Sequence, residues 1–338
     1  MTPTSSAVIG GVDTHADVHV AAALDARTGR LLDTESFPAT GNGYEELFGW
    51  LEEFGPIERV GVESTGSYGA GLTRALTSHY VDVIEVDRPD RKARRFEGKS
   101  DPVDAVAAAR AVLSGRASSV PKSRDGAAEA LRALEVVYRG TVKDRTRSIN
   151  QFKSLLISAP QQLRTRFSLL GFTDQLALAR RINDRHGDPV EAATRLALKE
   201  LARHISFLDD QADRLEPQIQ QLAAETAPAL LGLHGVGAHV AAQLLAAVGD
   251  NPERMGSEAA FAKLCGACPV PASSGKTTRH RLNRGGDRRA NNALFTIVLV
   301  RMRWDPRTRD YVARRTTEGK SRLEIICERS LRSYFHDH

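Results

Sequence analysis

The sequence predicts an α/β domain with a mixed β-sheet, then a helical region, then a mostly helical C-terminal domain. Short apolar runs alternate with helix-length segments over residues 1–120, as in α/β layers. Over residues 121–228, apolar residues recur at three- and four-residue spacing, which is typical of long helices. From residue 229 to residue 338, a glycine-rich turn separates helix-like segments and a basic tail follows. We therefore expect three domains with these bounds.

Composition and charge indicate a negatively charged macromolecular partner. The 338 residues are 41% hydrophobic, and the formal net charge is +5. From Ser273 onwards there are 16 Lys and Arg residues against 7 Asp and Glu, so the first 272 residues carry a net charge of −4. A basic tail on a mildly acidic body indicates a polyanion such as nucleic acid, although a solvated basic face would have the same composition.

Cysteine usage and hydropathy exclude two classes of protein. Cys265, Cys268 and Cys327 are too few for a disulfide framework. The Cys265-x-x-Cys268 pair has no second close pair of ligands, which favours reduced thiols over a structural zinc. There is no apolar run of eighteen residues and no charged-then-apolar leader, so we expect a cytoplasmic, nucleoid-associated protein with no membrane partner.

The first domain has the element order βββαβαβα, which predicts a mixed sheet covered by helices. The residues Asp25–Arg30 form a turn between two strands and give an antiparallel start. The predicted strands span residues 7–12, 18–24, 31–37, 59–62 and 81–86, and the predicted helices span residues 44–54, 70–80 and 103–113.

Acidic residues follow two of these strands and begin the last helix. Asp13 ends the first strand and Glu63 ends the fourth, and neighbouring strands would bring their carboxylates together. Asp101 and Asp104 lie three residues apart at a helix start, where they can share a face. For Asp101, helix capping is an alternative role.

Four carboxylates gathered from separate segments would repel one another unless cations lay among them. Hard oxygen ligands of this kind suit Mg²⁺ or Mn²⁺. Two such ions stabilise the attacking and leaving oxygens of phosphoryl transfer. The pattern therefore predicts a two-metal nuclease or strand-transfer site, with Asp13, Glu63, Asp101 and Asp104 as ligands, on a ribonuclease-H-like sheet.

A nucleotide-binding fold is the rival interpretation. Actin-like and sugar-kinase folds also begin with a hairpin whose first strand ends in Asp, and Glu63-Ser-Thr-Gly66-Ser could imitate their phosphate loop. Those folds need a second, similar half, and the first hairpin is not repeated later in the chain.

The middle region carries a heptad seam, which predicts a coiled-coil hairpin. Pro217 lies inside the seam and should kink or interrupt its last turns. Core packing within one chain is one explanation of the seam. Helix exchange between subunits is the other, and we favour it; it predicts a homo-oligomer, either a dimer or a tetramer. The seam consists of Leu198, Leu201, Ile205, Leu208, Ala212, Leu215, Ile219 and Leu222.

The C-terminal domain carries two candidate nucleic-acid motifs. Gly235-Val-Gly237 resembles the turn of a helix-hairpin-helix unit, which presents backbone N–H groups to a phosphate. Ser274 precedes Gly275 in a basic stretch and could be a nucleophile, or it could belong to a flexible turn, with Ser273 as an unresolved neighbour. The basic residues expected at nucleic acid are Lys276, Arg279, Arg281, Arg284, Arg288 and Arg289.

Together these motifs resemble one family, the DEDD-type insertion-sequence transposases, or recombinases, that are guided by a bridge RNA. Asp13 matches the first acid of their RuvC-like domain, and Glu63 with Thr65-Gly66-x-Tyr68 matches the second. Lys99-x-Asp101-x-x-Asp104-Ala matches the last two acids. The C-terminal half resembles their second transposase domain, although Gly285-Gly-Asp stands where that family more often has Gly-Asn.

The resemblance implies a composite site, in which Ser274 acts with the acidic tetrad. DNA would be cleaved through a covalent phosphoserine intermediate and its strands exchanged. It also implies oligomers assembled on a non-coding RNA that pairs with donor and target DNA. The alternative function is a metal-dependent Holliday-junction resolvase or nuclease without a serine nucleophile.

Overall fold

Two compact units make up the part of the chain that the structure describes. The structure is a computed structural model, and it describes residues 6–86, 100–183, 188–268, 270–271, 280–281, 283, 285–322 and 324–326. Unit 1 comprises Met1–Arg124 with Asn251–Gly256, and unit 2 comprises Asp125–Asp250 with Ser257–His338. The expected middle and C-terminal domains fall in one compact unit. The boundary between them at residue 228 therefore stays a prediction.

Unit 1 is built on a five-stranded mixed sheet with the strand order β3-β2-β1-β4-β5. The first three strands are antiparallel, and β4 and β5 are parallel to β1. This confirms the predicted mixed sheet and its element order. The strands are β1 Val8–Thr14, β2 Val18–Asp25, β3 Leu31–Pro38, β4 Ile57–Glu63 and β5 Val83–Val86; the helices are α1 Gly41–Glu53, α2 Ala70–Ser78 and α3 Asp101–Leu113.

Helix α3 lies unusually close to the sheet because glycine and alanine line the contact. A Cβ atom on Gly11 would come within 2.3 Å of the carbonyl oxygen of Ala105 and of the amide nitrogen of Ala109. A Cβ atom on Gly61 would meet Val112 Cγ2 at 2.6 Å. The strand residues two positions further on, at the carboxyl ends of β1 and β4, point to this same face, since side chains alternate along a strand.

The opposite face of the sheet carries a larger apolar core. Leu47 and Leu51 of α1 and Leu72 of α2 are fully buried there against Val12 and Val62. Buried aliphatic side chains each contribute about 1.5–3 kcal/mol of transfer free energy, so this face supplies much of the stability of unit 1. The polar side chains at the ends of β1 and β4 lie on the α3 face, opposite this larger core.

The regular secondary structure described in unit 2 is helical apart from one short two-stranded ribbon. Among its described helices, as in unit 1, none combines the length and the apolar composition needed to cross a membrane. The helices are α4 Ala127–Ser158, α5 Gln161–Ser168, α6 Phe172–Arg181, α7 Pro189–Thr226, α8 Pro228–Leu231, α9 Ala238–Val248, α10 Glu258–Leu264, α11 Arg288–Trp304 and α12 Pro306–Thr317; the ribbon strands are β6 Val270–Pro271 and β7 His280–Arg281.

The heptad seam packs within the chain. Helices α4 and α7 run antiparallel, because Phe152 packs near Leu198 whereas Leu131 packs near Ile219. This packing accounts for the seam without a second subunit. We expected a kink or an interruption at Pro217, and the interruption is wrong, since α7 continues to Thr226. The partly buried Leu215 before Pro217 and the buried Ile219 after it hold this part of α7 in place, which offsets the roughly 3 kcal/mol cost of a proline in a helix interior.

His239 joins three helices of unit 2. Its Nδ1 atom is hydrogen-bonded to Glu135 of α4, and its Nε2 atom lies 2.7 Å from Glu216 Oε2 of α7. Its ring also stacks on Tyr138 at a centroid distance of 4.2 Å. The bond to Glu135, and next the bond to Glu216, raise the pKa of His239 above its ordinary value of 6.5 against the opposing effect of burial.

We expect Gly11→Ala to destabilise unit 1 by about 1–3 kcal/mol, because its new methyl group would overlap backbone atoms of α3. Urea unfolding would be followed by Trp50 fluorescence in a Trp304→Phe background, since these are the two tryptophans of the chain. The matched control is Gly49→Ala on α1, where a Cβ atom meets nothing within 4 Å. It should stabilise unit 1 by about 0.5–1 kcal/mol. Equal effects at the two positions would contradict the close contact.

We expect the stabilising effect of His239 to fade as the pH rises. A folded-state pKa above 6.5 means that protonation favours the folded state, so the contribution is complete below 6.5 and is lost as the pH passes the folded-state value. His239→Gln should therefore destabilise unit 2 most in acid, as measured by circular-dichroism unfolding curves across the pH range. His204→Gln, an exposed change on α7, is the control and should show no such trend. A His239 effect that grew with pH would contradict the assignment.

Candidate active site

Two of the predicted acids lie side by side at the sheet edge. Val12 of β1 is paired with Val62 of β4, so Asp13 and Glu63 are the next residues of parallel neighbours. Asp13 is 7% exposed and Glu63 is 5% exposed, so both residues are buried. Asp13 lies within β1 rather than after it, because the strand continues to Thr14. The Thr14 hydroxyl donates to the Glu63 carbonyl oxygen at 3.0 Å and ties the two strand ends together.

The other two acids come from the first turn of α3. Asp104 is 3% exposed, whereas Asp101 is the first residue of the helix and has a half-exposed side chain. The N-cap residue is Ser100, so Asp101 does not occupy the capping position considered for it. Both carboxylates act electrostatically on Asp13. The structure therefore brings Asp101 and Asp104 to Asp13, beside Glu63 on the adjoining strand.

A histidine that the sequence analysis missed lies among these acids. His15 Nε2 is 3.2 Å from Asp13 Oδ2 and 3.5 Å from Asp101 Oδ1. Ligand atoms of Asp13, His15 and Asp101 all lie within 4.8 Å of one another. The available signal was its position two residues after Asp13, at the turn between two strands.

Burial and like charge raise the pKa of Asp13 above its ordinary value of 3.8. Burial is the largest cause, and the charges of Asp104 and Asp101 act in the same direction. The charge of His15 and its hydrogen bond to Asp13 oppose them. The fold therefore holds a carboxylate where its ionised form is disfavoured, which is a common property of functional sites.

The turn after Glu63 is held by a second polar cluster. Ser64 has a positive φ of 53°, an uncommon conformation for a residue other than glycine. The Thr65 hydroxyl donates to Glu85 Oε1 at 2.6 Å. Arg254, from the Asn251–Gly256 segment of unit 1, lies 3.8 Å from Glu85 Oε2 and donates through Nε to the Val120 carbonyl at 3.0 Å. Sequence patterns gave no sign of Arg254.

The acids form a donor set that fits a divalent metal ion. Carboxylate oxygens of Asp13 and Asp101 and an imidazole nitrogen of His15 are already grouped, and Asp104 adds negative charge beside them. A divalent cation would relieve the mutual repulsion of these acids and the cost of burying Asp13. Asp13, Asp101 and His15 are the residues whose atoms could bind one ion directly.

The predicted nucleophile Ser274 lies outside the described residues, as do its neighbour Ser273 and three of the basic residues, Lys276, Arg279 and Arg284. Backbone pairing places Arg281 opposite Val270 in the β6–β7 ribbon, and the segment with Ser274 connects these two strands. Gly266 and Gly286, which flank the ribbon in the sequence, pack closely, since a Cβ atom on Gly286 would lie 2.2 Å from the Gly266 nitrogen.

The other predicted nucleic-acid residues are on the surface of unit 2. Gly235 has a φ of +86°. Gly237 is the exposed N-cap residue of α9, and a Cβ atom added to it would meet no other atom within 4 Å. The residue before the Gly235–Gly237 turn is anchored by the buried Arg301, whose Nε donates to the His234 carbonyl at 2.8 Å. Arg288 and Arg289 are exposed in the first turn of α11, which Asp287 caps.

The sheet order and the acids at the ends of β1 and β4 are consistent with a RuvC-like α/β domain, joined here to a helical region. Two family models match the chain. The DEDD transposase model for IS110 elements matches residues 10–159, and the model for transposases of the IS116/IS110/IS902 family matches residues 227–313. Together they cover more than two-thirds of the chain, and the chain belongs to the IS110 family of DEDD transposases.

Curated relatives show the same affiliation. The chain is 31% identical over 134 residues to the 43.6 kDa protein of insertion element IS110 from Streptomyces coelicolor, which is 39% of this chain but only 33% of that protein. It is 26% identical over 277 residues to the 42 kDa protein of insertion element IS900 from Mycobacterium paratuberculosis, covering 69% of this chain and 68% of that protein. Family membership removes the nucleotide-binding interpretation.

We expect Asp13→Asn to stabilise unit 1 near neutral pH in the presence of a chelator. Because its folded-state pKa is raised, Asp13 stabilises the folded state fully only below 3.8, and this contribution is lost as the pH rises through the folded-state value. The gain from Asn should therefore shrink as the pH falls towards 3.8, as measured by urea unfolding followed through Trp50.

The control for that measurement is Asp25→Asn in the same unit. The pKa of Asp25 is lowered, first by the backbone N–H of Thr28, so its ionised form favours the folded state. Asp25→Asn should therefore weaken unit 1 near neutral pH. The interpretation fails if both variants shift the free energy of unfolding in the same direction.

Proposed function

We propose that this chain is a DNA transposase that cleaves and rejoins DNA strands during movement of an insertion sequence. The observation that carries the proposal is the meeting of Asp13, Asp101 and Asp104 beside Glu63, in a chain that two transposase models match. The folding of unit 1 does not explain four acids from separate sequence positions, three of them buried, because their repulsion destabilises the folded state. They suit a site that gathers cations around phosphate.

In this proposal the acidic residues would bind Mg²⁺ or Mn²⁺, and the bound ions would attract a DNA phosphate. Bound divalent ions supply charge stabilisation for the phosphoryl-transfer transition state. Asp13 and Glu63 act from rigid strand ends, and Asp101 and Asp104 act from the first turn of α3. Rigid placement matters because phosphoryl transfer depends mainly on positioning and electrostatics. In this proposal the exposed Tyr68, five residues after Glu63, contacts the DNA strand near the site.

Ser274 is the proposed nucleophile. Its hydroxyl oxygen forms a P–O bond to the scissile phosphate while the phosphate loses one of its DNA oxygens. The serine proton passes to a base, and the departing oxygen receives a proton. One phosphodiester replaces another, so the phosphoserine intermediate retains the bond energy, and a DNA hydroxyl can reverse the exchange without ATP. The position of Ser274 in the sequence motif supports this role.

Unit 2 is proposed to hold the DNA backbone through its turn and its basic residues. The helix start at Gly237 suits a phosphate, as in a helix-hairpin-helix unit, because Gly237 is exposed and carries no side chain that would crowd a ligand. Arg288 and Arg289 lie at a helix start, where the helix dipole disfavours cations. Their placement there supports a role at an anion. Lys276, Arg279, Arg281 and Arg284 extend the same basic stretch.

A guide RNA and self-association complete the proposal. The family resemblance supports a bridge RNA that pairs with donor and target DNA. Subunits would associate as a dimer or tetramer through the α4–α7 hairpin of the 121–228 region, with coiled-coil packing. Exposed apolar side chains on α7, Leu196 and Phe207, are available to a partner. A structured non-coding segment beside the coding region would support the RNA part of the proposal.

We expect a covalent protein–DNA adduct that depends on Ser274. Ser274→Ala should lower cleavage of DNA substrates at least about a thousandfold and abolish the adduct, because the attacking oxygen is gone. The measurement is gel retention of labelled DNA after denaturation, with the non-coding RNA supplied. Ser273→Ala is the matched control and should retain the adduct. Hydrolytic cleavage that persists in Ser274→Ala would instead indicate a resolvase or nuclease.

A further inference from the structure

His15 is the one basic side chain in contact with two of the site acids in the part of the chain that the structure describes. Its Nε2 atom lies 3.2 Å from one Asp13 oxygen and 3.5 Å from one Asp101 oxygen. The side chain is 45% exposed, so burial in the core does not explain its position. It lies between the β1 acid and the α3 acid, at the open side of the site.

These spacings match those of atoms that share an ion. Neighbouring ligands on an octahedral ion with bonds of about 2.1 Å lie about 3.0 Å apart, and opposite ligands lie about 4.2 Å apart. In a tetrahedral set the spacing is about 3.4 Å. The observed separations of 3.2 Å and 3.5 Å fall in this range, with all three donor atoms within 4.8 Å of one another.

An ordinary histidine–carboxylate pair in the same unit looks different. His79 Nε2 lies 2.8 Å from Glu45 Oε2, a short contact with a single carboxylate. His15 Nε2 is farther from each of two carboxylates. A single N–H group makes a good hydrogen bond to one acceptor. An unprotonated ring nitrogen near two carboxylates can instead bind a cation together with both of them.

We propose that His15 is a direct nitrogen ligand of the divalent ion held by Asp13 and Asp101, and that it makes this site prefer Mn²⁺ to Mg²⁺. The proposal rests on the metal-binding role of the acids given above. Mg²⁺ is held almost entirely by oxygen, whereas transition-metal ions accept imidazole nitrogen as well. A mixed set of two carboxylates and one imidazole therefore selects between the two ions that the acids alone would accept.

The test is Mn²⁺ binding to the full chain without DNA or RNA, followed by electron paramagnetic resonance, with Mg²⁺ as competitor. His15→Ala should weaken Mn²⁺ binding by about tenfold or more and change Mg²⁺ binding less than about threefold. Spin-echo modulation from a directly bound nitrogen should be present in the unaltered chain and absent in His15→Ala. His79→Ala is the matched control and should leave both measurements unchanged.

His15→Gln separates ligation from hydrogen bonding, because glutamine can still donate to Asp13 but offers oxygen to a metal. We expect it to lose the nitrogen modulation and the preference for Mn²⁺. Full retention of that preference in His15→Gln, or bound Mn²⁺ without nitrogen modulation in the unaltered chain, would overturn the proposal for His15. Asp13→Asn should abolish binding at this site; unchanged Mn²⁺ affinity in that variant would overturn the acidic metal site itself.

Discussion

The close contact between α3 and the sheet is the constraint on which the site depends. Gly11 and Gly61 leave no side chain on the strands, and Ala105 and Ala109 add little bulk on the helix. Backbone meets backbone, so the first turn of α3 reaches the carboxyl ends of β1 and β4. A larger residue at these positions would push the helix away and move Asp104 from Asp13. The geometry of the candidate site thus depends on small residues that are not themselves candidate ligands.

This close packing places charge where the solvent cannot screen it well. Burial and neighbouring acids raise the pKa of Asp13, so the metal-free site opposes folding of the unit that contains it. The apolar core on the other face of the sheet offsets this cost. Interactions at the strand ends, such as Thr14 with Glu63 and Thr65 with Glu85, keep the acids in place despite their repulsion.

Local patterns predicted much of unit 1, whereas partners brought together by the fold were missed. Apolar runs gave all five strands, and the acids Asp13 and Glu63 stood out because each closes such a run. Arg254 could not be predicted, because it meets Glu85 across 169 positions of sequence and no period links them. The interruption predicted at Pro217 was wrong for a related reason. The cost of a proline in a helix is a local property, whereas the packing that offsets this cost is tertiary.

Neither part of the proposed site carries all the groups that the reaction needs. Acids on strand ends can organise cations and phosphate, but they offer no nucleophile that could become bonded to DNA. The segment that contains Ser274 begins and ends at the β6–β7 ribbon of unit 2, away in sequence from every acid. If serine is the nucleophile, neither unit is sufficient for covalent cleavage. In the proposed reaction, covalent cleavage therefore needs groups from both units of the chain.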